Sequence, residues 1–145
     1  MGIITLDKIC ITPLKRITTE GGDVLHAIKS SEHNFKSFGE AYFSFIEYNH
    51  IKAWKMHSKM TLNLVVPVGN IKFKFVQSDM NAINEIIIGD INYSRITVPP
   101  GIWFGFQGLE KPHNLVLNVS NIVHQPDEVE RKSLNEIKFD WDLKK

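Results

Sequence analysis

The sequence has little cysteine, no long apolar run and no excess of positive charge. A single thiol, Cys10, excludes a disulfide framework and a thiolate metal cluster. No stretch approaches the roughly 20 apolar residues that cross a membrane, and the N-terminus lacks the apolar core of a signal peptide. A formal net charge of +1 is too small for a dedicated nucleic-acid binder. These absences predict a cytoplasmic protein that engages neither membrane nor nucleic acid.

The sequence also lacks common catalytic and metal-binding motifs. It has no G-x-S-x-G nucleophile elbow, no G-x-x-x-x-G-K phosphate loop and no H-E-x-x-H zinc motif. Its six histidines form no H-x-H pair, and only His57 is placed as a ligand would be. Because one neutral imidazole does not hold a metal, we predict neither a metal site nor a cofactor.

What the sequence does contain is a series of short strands. With 145 residues, 43% hydrophobic, the chain has the size of one domain spanning residues 1–145. Turn residues such as Gly, Pro, Asn and Asp separate the candidate strands, which are residues 41–47, 50–57, 62–68, 71–76, 85–88, 94–98, 103–106 and 115–119. This pattern predicts an all-β sandwich or barrel of the jelly-roll type.

Three details refine the expected fold. In residues 71–76, apolar residues alternate with Lys72 and Lys74, which predicts one buried and one wet face. Pro67 is awkward in a central strand and is expected near an edge or a bulge. Residues 127–137, D-E-V-E-R-K-S-L-N-E-I, carry acids early, which favours a short C-terminal helix.

Charged and aromatic side chains are concentrated in the strand of residues 50–57. Strict alternation places Ala53, Lys55 and His57 on one face and Lys52 and Trp54 on the other. One interpretation puts Lys55 and His57 in a barrel mouth, where burial and a neighbouring cation lower a lysine pKa. The other leaves the lysines solvated and His57 hydrogen-bonded at the surface.

The chain resembles a known family through five segments taken in order. They are T-E-G-G-D-V-L-H, I-K-A-W-K-M-H, L-N-L-V-V-P-V-G-N-I-K-F, N-Y-S-R-I-T-V-P-P-G-I-W-F-G-F and L-N-V-S-N-I-V-H-Q-P-D-E-V-E-R. Together they resemble the dTDP-4-dehydrorhamnose 3,5-epimerase family of nucleotide-sugar enzymes. The resemblance implies a cupin jelly roll, a homodimer without a metal, and a role in making surface-polysaccharide sugars such as those of O-antigen or capsule.

The resemblance also implies a reaction. A ketone at C4 of the sugar acidifies the neighbouring C–H bonds, a base removes one proton, and a cation stabilises the enolate. An acid then returns a proton to the opposite face. The family base is a histidine in an R-G-x-H motif, the acid is a tyrosine, and a lysine supports the enolate.

This sequence departs from the family at every one of those positions. R-G-x-H falls on residues 52–55, so that Lys55 stands at the base position and His57 follows two residues later. The tyrosine acid falls at or near Asn118, and the nearest substitute for the enolate lysine is Lys59. The histidine of a P-P-G-x-x-H-G-F motif becomes Phe104.

Two hypotheses follow. In the first, Lys55 acts as base or electrophile with help from His57 on a 4-keto-6-deoxy sugar linked to dTDP, CDP, UDP or GDP. The predicted substrate-binding residues are then Lys52, Lys59, Trp103, Asn118 and His26; Trp103 is either a stacking platform or a core aromatic. In the second, the chain is a catalytically silent cupin that binds a sugar nucleotide or a partner enzyme.

Overall fold

A computed structural model describes residues 2–142 of the chain, and strands dominate it. Twelve strands lie in these residues: Cys10–Pro13 (β1), Arg16–Ile17 (β2), Val24–Leu25 (β3), Glu40–Glu47 (β4), Ile51–His57 (β5), Leu62–Val68 (β6), Asn70–Gln77 (β7), Ile83–Gly89 (β8), Ser94–Val98 (β9), Ile102–Gly108 (β10), His113–Ser120 (β11) and Val129–Arg131 (β12). Three single-turn 3₁₀ helices accompany them, at Leu6–Lys8, Pro126–Glu128 and Leu134–Glu136. No helix in residues 2–142 is long and apolar enough to cross a membrane.

Two five-stranded antiparallel sheets form the body of the fold. Sheet I has the order β1-β9-β6-β11-β4, and sheet II has the order β12-β5-β10-β7-β8. A small ribbon of β2 and β3 stands apart from both. Since β4 and β5 belong to different sheets, the chain crosses from one sheet to the other between them.

The all-β prediction is confirmed, and each predicted strand is present with its ends shifted by a few residues at most. Pro67 lies in β6, the central strand of sheet I. It occupies a register irregularity, where Leu115 faces Val68 but Leu117 faces Val65. Of the two predicted positions, an edge or a bulge, Pro67 occupies the bulge. A residue without an N–H is tolerated there because the β6–β11 hydrogen-bond ladder is already interrupted.

The predicted C-terminal helix is not formed. Residues 127–137 instead contain the end of a 3₁₀ turn, the strand β12 and a second 3₁₀ turn. In β12, Val129 and Arg131 pair with His57 and Lys55 of β5, so the edge of sheet II supplies the backbone partners. Local helix propensity is a weak preference, and pairing with an open sheet edge overrides it here.

The main hydrophobic core lies between the two sheets, where Phe73, Phe75, Ile71 and Ile96 are completely buried. A second cluster covers the outer face of sheet II and is formed by Trp54, Val76, Trp103, Ile137 and Trp141. We call residues 137–142 the C-terminal strap, because Ile137 and Trp141 close this cluster from outside.

The strap also corrects the prediction of a wet face on β7. Lys72 and Lys74 are each only 8% exposed. The Lys72 Nζ donates to the Trp141 carbonyl at 3.2 Å, and the Lys74 Nζ lies 5.3 Å from the centre of the Trp141 ring. Alternation identified the two faces of the strand, but a distant segment of the chain buries the polar one.

Candidate active site

A β-bulge in β5 decides which of its side chains face the space between the sheets. In the ladder with β10, Phe104 lies opposite Lys55 and Gly105 lies opposite Ala53, so Trp54 is an extra residue that has no register partner on β10. Side chains of opposed residues point to the same side of a sheet. Since Phe104 belongs to the core between the sheets, Lys55 points inward.

The bulge places Lys52 on the same side as Lys55 and His57. Lys52 lies opposite Phe106, which packs against the inner core, while Trp54 turns outward beneath the strap. Strict alternation had placed Lys52 with Trp54, and the extra residue reverses that assignment. It also agrees with the packing of Trp54, which is 1% exposed and lies 5.4 Å from Trp141 between ring centres.

Gly105 makes room for this bulge. A Cβ atom at Gly105 would lie 2.5 Å from the Ala53 Cβ and 3.2 Å from the Trp54 ring. Both contacts are closer than ordinary van der Waals distance, so a larger residue would push the bulged strand away. The G-F pair of the V-P-P-G-x-x-x-G-F segment thus shapes the strand that carries the candidate site.

A cavity of about 600 Å³ opens between the two sheets on the side of β5. Its volume is in the range of small-molecule binding sites. Phe104, Phe106 and Leu64 form apolar parts of its wall. Its polar side chains come from both sheets and from the C-terminal segment: Glu40, Tyr42, Ser44, Asn118, Lys52, Lys55, His57, His124, Arg131 and Lys132.

His57 and Glu128 form a buried pair at this cavity. The His57 Nδ1 lies 2.5 Å from the Glu128 Oε1, and the His57 ring stacks on Phe104 with the ring centres 6.1 Å apart. The other carboxylate oxygen of Glu128 accepts hydrogen bonds from the backbone N–H groups of Lys59 and Met60, at 3.1 and 3.2 Å. Glu128 is therefore held by three donors although it is only 1% exposed.

The charge of Glu128 sets the tautomer of His57. Burial by itself raises the pKa of Glu128, but the hydrogen bonds from His57, Lys59 and Met60 and the charge on His57 outweigh burial and keep this pKa below its ordinary value. An ionised carboxylate only accepts hydrogen bonds, so the neutral form of His57 carries its proton on Nδ1. The Nε2 lone pair is then available to take up a proton, which is the arrangement of a general base.

Three cations line the cavity beside His57: Lys52 and Lys55 on β5, and Arg131 on β12. Arg131 is the register partner of Lys55 on β12, and the Lys52 Nζ donates to the Phe45 carbonyl at 2.7 Å. Partial burial lowers the pKa of Lys55, and the positive charges of Arg131 and Lys52 lower it further. This concentration of positive charge beside His57 suits an anionic ligand or a reaction that develops negative charge.

Of the other predicted site residues, Asn118 lines the cavity, whereas three lie outside it. Trp103 is 4% exposed in the outer cluster of sheet II, under the Lys132 Nζ. Lys59 is exposed and contributes its backbone N–H to Glu128. His26 follows β3, where its carbonyl accepts a hydrogen bond from the Tyr93 hydroxyl at 2.7 Å.

Reasoning from the sequence missed Glu128, Arg131 and Tyr42. Glu128 is 71 residues from His57, and the prediction of a helix over residues 127–137 hid its inward direction. The same helix prediction concealed the pairing of Arg131 with Lys55. Tyr42 lies in an aromatic-rich strand. Its side chain lines the cavity, whereas Phe43 and Phe45 are exposed and lie outside the cavity, and aromatic content alone does not distinguish the three.

Within residues 2–142, no three His, Cys, Asp or Glu side chains come together as a group that would hold a metal ion. The His57–Glu128 pair is thus joined by no further ligand of this kind in that part of the chain.

The chain matches no family model and no curated protein. Among solved structures, it is similar to a dTDP-sugar isomerase from Desulfovibrio desulfuricans. The two share 33% identity over 93% of this chain and 91% of the other, with a TM-score of 0.87. This chain belongs to the dTDP-sugar isomerase family.

More distant structures share the fold of this family member. A dTDP-6-deoxy-D-glucose-3,5-epimerase from Legionella pneumophila, in complex with dTDP-4-keto-L-rhamnose, is 16% identical over 99% of this chain and 84% of its own, with a TM-score of 0.82. A sugar 3,4-ketoisomerase from Thermoanaerobacterium thermosaccharolyticum, in complex with TDP, is 13% identical over 92% and 94%, with a TM-score of 0.75. The predicted cupin jelly roll is confirmed, and the prediction of a sugar-nucleotide isomerase is confirmed by the 33% identity to the Desulfovibrio desulfuricans enzyme.

Proposed function

We propose that this protein isomerises a dTDP-linked 4-keto-6-deoxy sugar by removing a proton from a carbon next to the ketone. The His57–Glu128 pair carries this proposal, because it presents a basic nitrogen in a cavity of suitable size. The ligands bound in the similar structures support the substrate class: dTDP-4-keto-L-rhamnose in the epimerase and TDP in the ketoisomerase.

In the proposed reaction, His57 is the general base. Its Nε2 takes the proton from carbon, and the negative charge of Glu128 stabilises the imidazolium that forms. The stacked ring of Phe104 and the carboxylate fix the imidazole plane, so the base is oriented before the substrate arrives. This gives His57 the leading role, which the sequence alone had assigned to Lys55.

Lys55 then serves as the group that stabilises the enolate. It lies two residues from His57 on the inner side of β5, so its ammonium is near the place where the ketone oxygen gains charge. The lowered pKa of Lys55 makes its N–H groups stronger donors to that oxygen.

The remaining cations are assigned to the diphosphate of the nucleotide. Lys52 lies beyond Lys55 along β5, and Arg131 lies beside Lys55 on β12, where it presents a planar fork that matches two phosphate oxygens at once. Asn118, on the facing sheet, is assigned to a sugar hydroxyl. The substrate would thus lie with its sugar at His57 and its diphosphate along Lys52 and Arg131.

Homodimer formation is part of the proposal. The outer face of sheet I exposes Phe43 by 63% and Phe45 by 61% of their surface, and Val68 by 48%. Phe45 and Val68 are both register partners of Leu115, so they flank it on that face, and an exposed apolar surface of this kind is typical of a protein contact. A mass of twice the 16.6 kDa chain in light scattering would support this assembly. We place the protein in the cytoplasm and its product among surface-polysaccharide sugars, on the resemblance to the epimerase family.

Solvent exchange tests the reaction directly. Incubation with dTDP-4-keto-6-deoxyglucose in D₂O, followed by NMR, should show deuterium entering at C3 or C5. Because general-base catalysis contributes about 100-fold or more, His57→Asn should slow this exchange by at least that factor. The matched control is His50→Asn, at an exposed histidine just before β5, which should exchange like wild type.

The outcomes separate the two hypotheses that the sequence left open. Exchange that depends on His57 supports an isomerase. Binding of the sugar nucleotide in calorimetry without any exchange would instead support a silent cupin. Calorimetry with the CDP-linked sugar decides whether the protein discriminates between nucleotides, because a dTDP-specific site should bind the CDP-linked sugar more weakly.

A further inference from the structure

Three lysines among the described residues line the cavity, and Lys55 differs from the other two because its amine has no partner there. The Lys52 Nζ donates to the Phe45 carbonyl at 2.7 Å, and the Lys132 Nζ lies 5.2 Å from the centre of the Trp103 ring. In the described part of the chain, no oxygen accepts a hydrogen bond from the Lys55 Nζ, and no carboxylate forms an ion pair with it. The Lys55 amine is therefore available to react with a ligand.

The surroundings of Lys55 favour the uncharged form of its amine. Its register partners are Phe104 on β10 and Arg131 on β12, so an aromatic ring and a cation flank it. Partial burial lowers the pKa of Lys55, and the positive charges of Arg131 and Lys52 lower it further. A desolvated lysine next to other cations is the kind of amine that attacks carbonyl carbons.

The proposed function brings a ketone close to this amine. Lys55 and His57 are alternate residues on the inner side of β5, so their Cα atoms lie about 6–7 Å apart. The carbon that His57 deprotonates is bonded directly to the ketone carbon, C4. An amine and a base at neighbouring inward positions therefore suit two adjacent atoms of one sugar ring.

A covalent bond makes fuller use of Lys55 than a hydrogen bond does. Electrostatic stabilisation of an oxyanion depends on donors that are held in place before the reaction. Lys52 has such a holding contact at the Phe45 carbonyl, whereas Lys55 has none within residues 2–142. A covalent bond needs no donor held in advance, because the bond itself fixes the nitrogen at C4.

We propose that Lys55 forms an imine with C4 of the keto sugar, and that His57 deprotonates the carbon next to this imine. The step rests on the proposed function and makes the contact between Lys55 and the ketone covalent. The Lys55 nitrogen attacks the carbonyl carbon. The carbonyl oxygen leaves as water after it accepts one proton from the amine and one from solvent, which leaves a positively charged iminium.

The iminium is a stronger electron acceptor than the ketone. The His57 Nε2 takes a proton from the neighbouring carbon, the C–H electron pair becomes a C=C bond, and the C=N pair returns to nitrogen as a lone pair. The product is a neutral enamine. A proton returned to carbon restores the iminium, and water then releases the isomerised sugar and Lys55, so no oxidant or reductant is needed.

Reductive trapping tests the imine. The protein is mixed with dTDP-4-keto-6-deoxyglucose and sodium cyanoborohydride, which reduces iminium ions much faster than ketones. Intact-mass spectrometry should show one adduct per chain, heavier by the sugar nucleotide less one oxygen atom, and excess dTDP should suppress it. Because trypsin does not cleave after an alkylated lysine, the adduct should lie on the peptide of residues 53–59, A-W-K-M-H-S-K.

Lys55→Arg separates a covalent role from a hydrogen-bonding one. Arginine keeps the positive charge and the N–H donors, but its permanently protonated guanidinium forms no imine. The variant should lose the adduct and incorporate deuterium from D₂O about 100-fold or more slowly than wild type, as expected when activation of the ketone is lost. Lys29→Arg, at an exposed lysine outside the cavity, is the matched control and should match wild type in both measurements.

Each alternative outcome decides between the proposals. Wild-type exchange without any adduct would overturn the imine and leave the isomerase proposal standing. An adduct on Lys52 or Lys132, or exchange by Lys55→Arg close to the wild-type rate, would overturn the assignment to Lys55. An adduct on Lys55 without exchange would support the imine and overturn the isomerase proposal. Absence of both adduct and exchange in the wild-type protein would overturn both.

Discussion

Replacing Glu128 by glutamine should weaken both the stability of the fold and the proposed catalysis. The carboxylate accepts from the His57 Nδ1 at 2.5 Å and from two backbone N–H groups at 3.1 and 3.2 Å. An amide has only one oxygen acceptor, and its NH₂ group faces donors on the other side. With its oxygen towards the two backbone N–H groups, the amide donates to the His57 Nδ1, so His57 takes the tautomer that carries its proton on Nε2.

The size of the effect follows from the loss of the carboxylate charge. A hydrogen bond to a charged group contributes about 1.5–3 kcal/mol and a neutral one about 1 kcal/mol, so the substitution should cost about 1–3 kcal/mol of unfolding free energy. At about 3 °C per kcal/mol for a chain of this length, the melting temperature should fall by about 3–9 °C. Exchange of substrate deuterium should fall by about 100-fold as well, because the Nε2 of His57 then carries a proton and has no lone pair to accept another.

Differential scanning calorimetry and the NMR exchange assay measure the two effects on the same preparation. Glu130→Gln is the matched control: Glu130 is two residues away on β12 and is exposed, so its stability should change by less than about 0.5 kcal/mol. If Glu128→Gln melted and exchanged like Glu130→Gln, the carboxylate would neither support the loop at Lys59 nor orient His57. That result would refute the reasoning.

Two other predictions concern pH and the bulge. The pKa of Glu128 in the folded protein lies below its ordinary value of 4.5, so the stability that the ionised carboxylate contributes is present above about pH 4.5 and is lost as the pH falls through the folded pKa. In urea titrations from pH 7 to 3, the unfolding free energy should therefore decline less steeply in Glu128→Gln than in wild type. An equal decline in both proteins would contradict this source of acid sensitivity. Gly105→Ala should cost about 1–3 kcal/mol in urea unfolding and reduce exchange, because the added Cβ meets Ala53 and the Trp54 ring and displaces the strand that carries Lys55 and His57. Wild-type stability in Gly105→Ala would show that the bulge accommodates a Cβ atom at this position without strain.

The strand prediction succeeded where side-chain pattern and turn residues act locally. Residues 62–68 and 94–98 form strands with the predicted limits. The same local reasoning failed for residues 127–137, because their conformation depends on the open edge of β5. It also missed the burial of Lys72 and Lys74, which depends on a strap from the end of the chain.

In the candidate site, too, local sequence patterns predicted some features, and distant segments of the chain decided the others. Lys52, Lys55 and His57 were singled out because of their position in the family motif, and all three line the cavity. Their common direction depends on one extra residue in β5, which strict alternation cannot reveal. The carboxylate that orients His57 lies in a segment whose folded path was not predicted.

The sequence by itself determined the strands, the jelly-roll class, the family and the segment that carries the candidate site. These features follow from period-two patterning, turn residues and motif order, all of which are local or linear properties of the chain. Only the tertiary structure decided that Glu128 holds His57, that Arg131 lies beside Lys55, and that Tyr42 stands next to Asn118. Those pairs join segments far apart in the sequence, and their contacts arise from sheet pairing and burial that no local pattern encodes.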